Sequence, residues 1–195
     1  AIIWEKDYDG PSNRADAAQA VAVDASGNVA VTGSSDGGVS GTDYYTAKYA
    51  AGDGALLWEK RYDGPIDKRD LAQAMVMDAG GNVVVTGRSG VDYYTAKYAA
   101  ADGALLWEKR GPTIYNDQPL SVAVDGNGNV VVTGNSLDVD SINGTDFYTA
   151  KYAAADGAQL WERRDSSRPN RAPLPKAVAV EGSGNVVVTG YSNRT

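Results

Sequence analysis

A chain of 195 residues that is 43% hydrophobic and 22% charged has the length and balance of a folded unit with a sizeable core. The absence of cysteine and histidine excludes a disulfide framework, a Cys/His zinc site and a conventional Ser-His-Asp triad. A net charge of −7 argues against a nucleic-acid partner, and no apolar run approaches the roughly 20 residues of a membrane-spanning helix.

Residues 1–10, AIIWEKDYDG, read as an outer strand stopped before Pro11, since proline cannot supply a ladder hydrogen bond. Four segments follow: AQAVAVDASG (18–27), NVAVTGSS (28–35), DYYTAKYAAGDG (43–54) and ALLWEKRYDG (55–64). The whole set 18–64 returns over 72–113 and 120–165, and a truncated copy fills 176–195, about 3.7 repeats in all. Trp4, Trp58, Trp107 and Trp161 mark the repeat, as do Asn28, Asn82, Asn129 and Asn185 in the first turn of each copy. Every segment is rich in β-favouring residues and closed by Gly, Asn, Asp or Ser, so each repeat is predicted to be four antiparallel strands. The first turn is a hairpin connection in which Gly and Asn can adopt positive φ.

The 23 glycines and 12 tyrosines fit such an all-β architecture. Runs such as VVV are apolar on both sides, which implies burial on both sides. Within DYYTAKY, Tyr45, Ala47 and Tyr49 share one face and Tyr44, Thr46 and Lys48 the other. A meander covered on both faces by copies of itself is a β-propeller blade. The chain reads as one partial propeller over 1–195, an arc of a larger ring of about six to eight blades. Alternatives are a ring completed by a second copy and a closed four-bladed ring with a defective last blade. The start at Ala1, directly in a strand-like run, reads as trimmed or mature material.

The motif D-x-x-G-N-[VA]-x-V-T-G, then D-[YF]-Y-T-A-K-Y, then D-G-A-x-L-W-E-[KR]-R resembles the SBBP-type β-propeller repeat across essentially the whole chain, with a more distant likeness to NHL-type repeats. That resemblance implies an extracellular, cell-surface or periplasmic bacterial setting and no catalytic residue. The phrase A-A-D-G-A-L-L-W-E-K-R also resembles the tryptophan-docking motif of quinoprotein propellers, where the tryptophan packs between blades. It implies the same packing role for Trp58, Trp107 and Trp161. No residue set for a quinone accompanies it, and no cofactor is expected.

Candidate chemistry is sparse. Asp125, Asn127 and Asn129 place oxygens at alternate positions, as calcium loops do, but fall short of six to eight ligands. The insert 137–146 adds three acids. Asp43, Asp92 and Asp146, with Lys48, Lys97 and Lys151, recur in each repeat and so read as structural; each lysine is expected to pair with an acid of its own or a neighbouring blade. Asp7, Asp9, Glu59 and Asp63 could supply paired carboxylates for glycoside hydrolysis, yet they too echo between repeats. Departures from the repeat lie in 34–42, 135–145 and the Pro/Arg-rich stretch 166–175, where Arg168 and Arg171 could meet an acidic partner.

The expected function is therefore a non-catalytic interaction or scaffolding module. An unknown protein or a surface glycan would bind at the loops 34–42 and 135–145, and the remainder of a longer parent chain or a second copy is a further partner. A fragment of a quinoprotein-like propeller oxidoreductase is the alternative.

Overall fold

An aspartate side chain closes the first hairpin of each blade. In the computed structural model, which describes residues 1–65, 69–111, 117–137, 145–165 and 173–192, Asp24 Oδ1 accepts the N–H groups of Ser26 and Asn28 at 2.9 Å. Asp78 and Asp125 repeat the arrangement. Only the glycine of the turn takes positive φ, as at Gly27 (82°). The asparagine, which could adopt it too, does not. Asn28 is instead a strut: its Nδ2 donates to Asp24, and its Oδ1 accepts the N–H of Ala51 in the second hairpin turn of the same blade. Asn82 and Asn129 do the same toward Ala100 and Ala154.

Three complete meanders follow. Blade 1 is β1 (Asp16–Val23), β2 (Val29–Asp36), β3 (Thr42–Tyr49) and β4 (Leu56–Tyr62). Blade 2 is β5 (Asp70–Met77), β6 (Val83–Ser89), β7 (Asp92–Tyr98) and β8 (Leu105–Arg110). Blade 3 is β9 (Gln118–Val124), β10 (Val130–Leu137), β11 (Thr145–Tyr152) and β12 (Gln159–Asp165). A two-stranded half-blade, β13 (Pro173–Val180) with β14 (Val186–Ser192), ends the described chain. All pairings are antiparallel between sequence neighbours. Each first pair carries a one-residue shift, as between Ala72 and Ala74. The Thr-Gly of VVVTG explains it, since a Cβ on Gly87 would lie 2.1 Å from the Leu71 carbonyl oxygen.

Blades stack through opposite faces of the third strand. Tyr44, Ala30 and Trp58 of blade 1 pack on Val83, Val85, Tyr94, Ala96 and Tyr98 of blade 2. Tyr93, Val84 and Trp107 of blade 2 then pack on Val130, Val132, Tyr148, Ala150 and Tyr152 of blade 3. The two faces read from DYYTAKY are therefore the two inter-blade faces. Tyr44 meets Tyr94 edge-on with ring centroids 5.4 Å apart, and Tyr93 meets Tyr148 at 5.2 Å; such aromatic pairs contribute about 1 kcal/mol beyond area burial.

The inner strands lie side by side in the order β1, β5, β9, β13. On the outward side of β1, Val21 and Val23 are 65% and 61% exposed, whereas their counterparts Met75 and Met77 are partly covered by blade 1. The described residues thus form an open arc.

Residues 1–10 differ from expectation. They join no ladder, because no strand lies beside them among the described residues. They nevertheless occupy the place of an outer strand of a preceding blade: Trp4 and Tyr8 contact Tyr49 and Tyr45 as Trp58 and Tyr62 contact Tyr98 and Tyr94. No α-helix occurs among the described residues, and none is long and apolar enough to cross a membrane.

Candidate functional site

Because every blade is a meander, its two hairpin turns share one rim, and the loop between second and third strands lies on the other with the blade-to-blade connections. The hairpin rim holds the recurring residues. Trp58 Nε1 donates to the Ala100 carbonyl at 3.2 Å, and Trp107 Nε1 to Ala154 at 3.2 Å, each reaching the following blade. Trp4 Nε1 makes the same bond to Ala51 at 3.1 Å. Lys48 Nζ, 2.9 Å from Asp24 of its own blade, also donates to Gly81 and Ala100 across the junction. Lys97 pairs with Asp78 at 2.8 Å and donates to Ala154. One carbonyl thus receives both an indole and an ammonium.

This geometry also places the candidate calcium residues. Asp125 Oδ1 is held by two backbone N–H groups, and Oδ2 accepts from Asn129 Nδ2 and lies 2.8 Å from Lys151 Nζ. An ammonium stands where a metal ion would have to sit. Asn127 contributes its backbone N–H to the turn, and Asn129 Oδ1 is engaged with Ala154.

Burial alone would raise the pKa of Asp24 and Asp125; their lysine partners and the Asn28 and Asn129 donors overcome it and hold both at about 2. Asp78 is lowered by the same balance, with Lys97 and Asn82 as its partners. A depressed folded-state pKa contributes stability that is fully present above the ordinary aspartate value of about 3.9 and is lost below it. Asp70 acts in the opposite sense: burial, with Asp63 and Asp43 nearby, raises it, so protonation there relieves a cost as pH falls. Three lowered aspartates outweigh one raised. The urea midpoint, followed by circular dichroism, is expected to hold from pH 7 to about pH 5 and then fall between about pH 4 and pH 2. An unchanged midpoint across that interval would contradict the ammonium–carboxylate pairing.

The loop rim is built differently in each blade. In blade 1 the strands run further than the sequence suggests: Ser34–Asp36 belong to β2 and Thr42 to β3, so the loop proper is 37–41. The hairpin ladder extends to the Asp36–Thr42 pair. A single 3-10 turn, Gly38–Ser40, lifts a fully exposed Val39 off the rim. Its base is fixed by Gly38 N–H donating to Asp36 Oδ1 at 2.7 Å and by Ser12 Oγ donating to the Asp36 carbonyl at 2.8 Å. In blade 2 a two-residue turn, Gly90 and Val91, does the same work. In blade 3, Asn135–Leu137 and Thr145 are strand, while 138–144 lie outside the described residues, as do 166–172 with Arg168 and Arg171.

Beneath these loops the blades are tied a second time. Arg61 bonds Asp43 at 2.8 Å, Ser35 Oγ at 2.6 Å and Tyr8 at 3.0 Å. Arg110 repeats this with Asp92, Ser89 and Tyr62. Asp43, Asp63 and Asp70 bring carboxylate oxygens within 4.8 Å of one another, Asp70 also accepting the Gly64 N–H at 2.7 Å. Glu59 accepts the Tyr45 hydroxyl, and Glu108 and Glu162 accept Tyr94 and Tyr148 in turn. Asp7 lines a groove of about 270 Å³ between Trp4, Tyr8 and the outward face of β2 and β3. Sequence reasoning singled out Asp43 and Asp63 but missed Asp70 and the arginines. Their signal was the recurrence of Asp16, Asp70 and Asp117 at the start of each blade.

A family model described as outer membrane protein assembly factor BamB matches residues 1–195. The chain belongs to that family. For this BamB-family chain the match supports the propeller repeat and does not carry the narrower SBBP-type or NHL-type likeness. The crystal structure of BamB from Moraxella catarrhalis is similar at a TM-score of 0.33 and 14% identity, covering 87% of this chain and 60% of that one. The tail fiber of Staphylococcus aureus phage P68 gives a TM-score of 0.28 and 13% identity, covering 84% and 43%. The chain therefore spans less than two thirds of either structure. No curated protein matches it.

Proposed function

We propose that this chain is a non-catalytic propeller module that recognises a protein partner through its loop rim, in a periplasmic or cell-surface setting. The observation that carries the reading is a division of labour between rims. The recurring Trp, Lys, Asp and Asn residues are engaged within or between blades, and the loops that differ from blade to blade stand on the opposite side. A protein partner and an extracytoplasmic setting are supported by the family's description as an outer membrane protein assembly factor. The SBBP-type likeness of the motif points to the same setting.

A quinoprotein-like oxidoreductase is less well supported. Its tryptophan motif is present, but the indoles of Trp58 and Trp107 serve blade contacts, and Asp24, Asp78 and Asp125 of the first turns are each paired with a lysine.

Replacing residues 36–42 by the Gly-Val turn of blade 2 tests the loop reading, because Ser35 and Asp43 align with Ser89 and Asp92. The shortened chain is expected to melt like the parent and to lose retention of its partner from a cell-envelope extract. Equal retention would sink the proposal. Loss of retention after periodate treatment of the extract would move the partner to a surface glycan.

A further inference from the structure

Three carboxylates converge where blade 1 hands over to blade 2. Asp43 lies at the head of β3, Asp63 just after β4, and Asp70 opens β5. An oxygen of each lies within 4.8 Å of an oxygen of the other two. Asp43 and Asp70 are 1% and 0% exposed, whereas Asp63 is open to solvent. Burial raises the pKa of Asp70, and the charges of Asp63 and Asp43 add to it. The junction therefore gathers negative charge in a place that solvates it poorly.

Hydrogen bonds account for only part of these oxygens. Asp43 Oδ2 accepts Arg61 at 2.8 Å and Ser40 Oγ at 3.0 Å, and Asp70 Oδ2 accepts the Gly64 N–H at 2.7 Å. Asp43 Oδ1 and Asp70 Oδ1 are buried and accept no hydrogen bond among the described residues. A group of a different kind marks the same junction. Tyr44, beside Asp43 in β3, is 1% exposed, and its hydroxyl has no hydrogen-bond partner among the described residues. Burial, and after it the Asp70 charge, holds the proton on that hydroxyl. Nearly all buried oxygens of a folded protein are satisfied, so three orphans at one junction point to a shared ligand.

We propose that Asp43, Asp63 and Asp70 form a binding site for a hard divalent cation of the calcium class, which clasps blade 1 to blade 2 beneath the loop rim. Carboxylate oxygens are the ligands such an ion takes, one or two from each acid, and water completes a shell of six to eight. Arg61 engages Oδ2 of Asp43 and leaves Oδ1 for the ion. The exposed Asp63 gives the ion its way in, and the Tyr44 hydroxyl can bond a water of its shell. Gly64 admits the close approach of Asp70, since a Cβ there would lie 2.8 Å from Asp70 Oδ1. The junction of blades 2 and 3 has no counterpart of Asp63: Arg110 runs directly into Gly111-Pro112, where Arg61 is followed by Tyr62-Asp63-Gly64-Pro65. The proposal does not rest on the loop-rim reading.

The test uses the whole chain, stripped with a chelator and titrated with calcium chloride in about 0.15 M sodium chloride, where exposed charge is screened. Calorimetry is expected to show one calcium per chain with a Kd of about 0.1–1 mM, and the melting temperature is expected to rise as the site fills. Asp63→Asn and Asp70→Asn are each expected to weaken binding about tenfold or more. Without calcium, Asp70→Asn is expected to melt no lower than the parent, because it removes a repelled charge and keeps an acceptor for the Gly64 N–H. That comparison separates the loss of a ligand from the loss of the fold. Asp102→Asn, at an exposed acid of the hairpin rim, is expected to bind calcium as the parent does. So is the 36–42 loop replacement, which keeps Asp43. The absence of saturable binding up to about 10 mM calcium, an equal rise in melting temperature from sodium chloride of matched ionic strength, or indifference to both Asp63→Asn and Asp70→Asn would each overturn the proposal.

Discussion

Trp107→Ala is expected to lower the unfolding free energy by about 3–5 kcal/mol, the usual cost of deleting a buried aromatic side chain. Trp107 is 6% exposed, lies among Val84, Tyr93 and Tyr152, and gives its indole N–H to the Ala154 carbonyl. Its truncation opens a cavity and leaves that carbonyl with Lys97 alone. Trp161→Ala is expected to cost about 1 kcal/mol or less, because the same residue in blade 3 is 37% exposed and meets no carbonyl of the half-blade among the described residues. Urea unfolding of the two variants separates the cases. Equal losses would mean that the tryptophan acts within its own blade and not across the junction.

The second large effect lies at the lysines. Lys97→Met removes a charge that is 4% exposed and leaves Asp78, 8% exposed, without its partner at 2.8 Å. Removing one member of a buried pair costs about 3–5 kcal/mol, most of it the penalty on the abandoned carboxylate. Adding Asp78→Asn to Lys97→Met should recover much of the loss, since an amide can still accept from the backbone of Gly80 and Asn82. A double-mutant cycle measures this directly. Additive losses would show that the pair is not coupled. Lys151→Met is expected to cost less, because Lys151 is 12% exposed and touches no following blade among the described residues.

Much of the fold was legible in the chain because the blade is written three times. Four segments per repeat, the two faces of DYYTAKY and the packing role of WEK follow from local pattern, and β1–β14 realise them. What stayed hidden depends on partners outside the segment that carries the signal, from about half a repeat to a full repeat away. Residues 1–10 have the composition of a strand, but a ladder needs a neighbour, and none lies beside them among the described residues. Asn28 looked like a turn former because its bond to Ala51 is invisible in its own hairpin. The Arg61–Tyr8 and Arg110–Tyr62 ties link side chains from two repeats, so neither end carries a signal alone. The loop-rim candidates were legible as places where the repeat breaks, whereas their true bounds were set by how far each hairpin ladder runs.

The two rims stand a strand length apart, about 25 Å for eight extended residues. A substitution at Val39 is therefore remote from the Ala100 carbonyl on which Trp58 and Lys48 converge. Loop sequence and the tryptophan–lysine fastening can drift separately, so the chain behaves as a cassette rack. New loops can be exchanged on one side without re-optimising the fastenings on the other, and a blade with a redesigned loop should fit any position whose two neighbours keep their tryptophan and lysine.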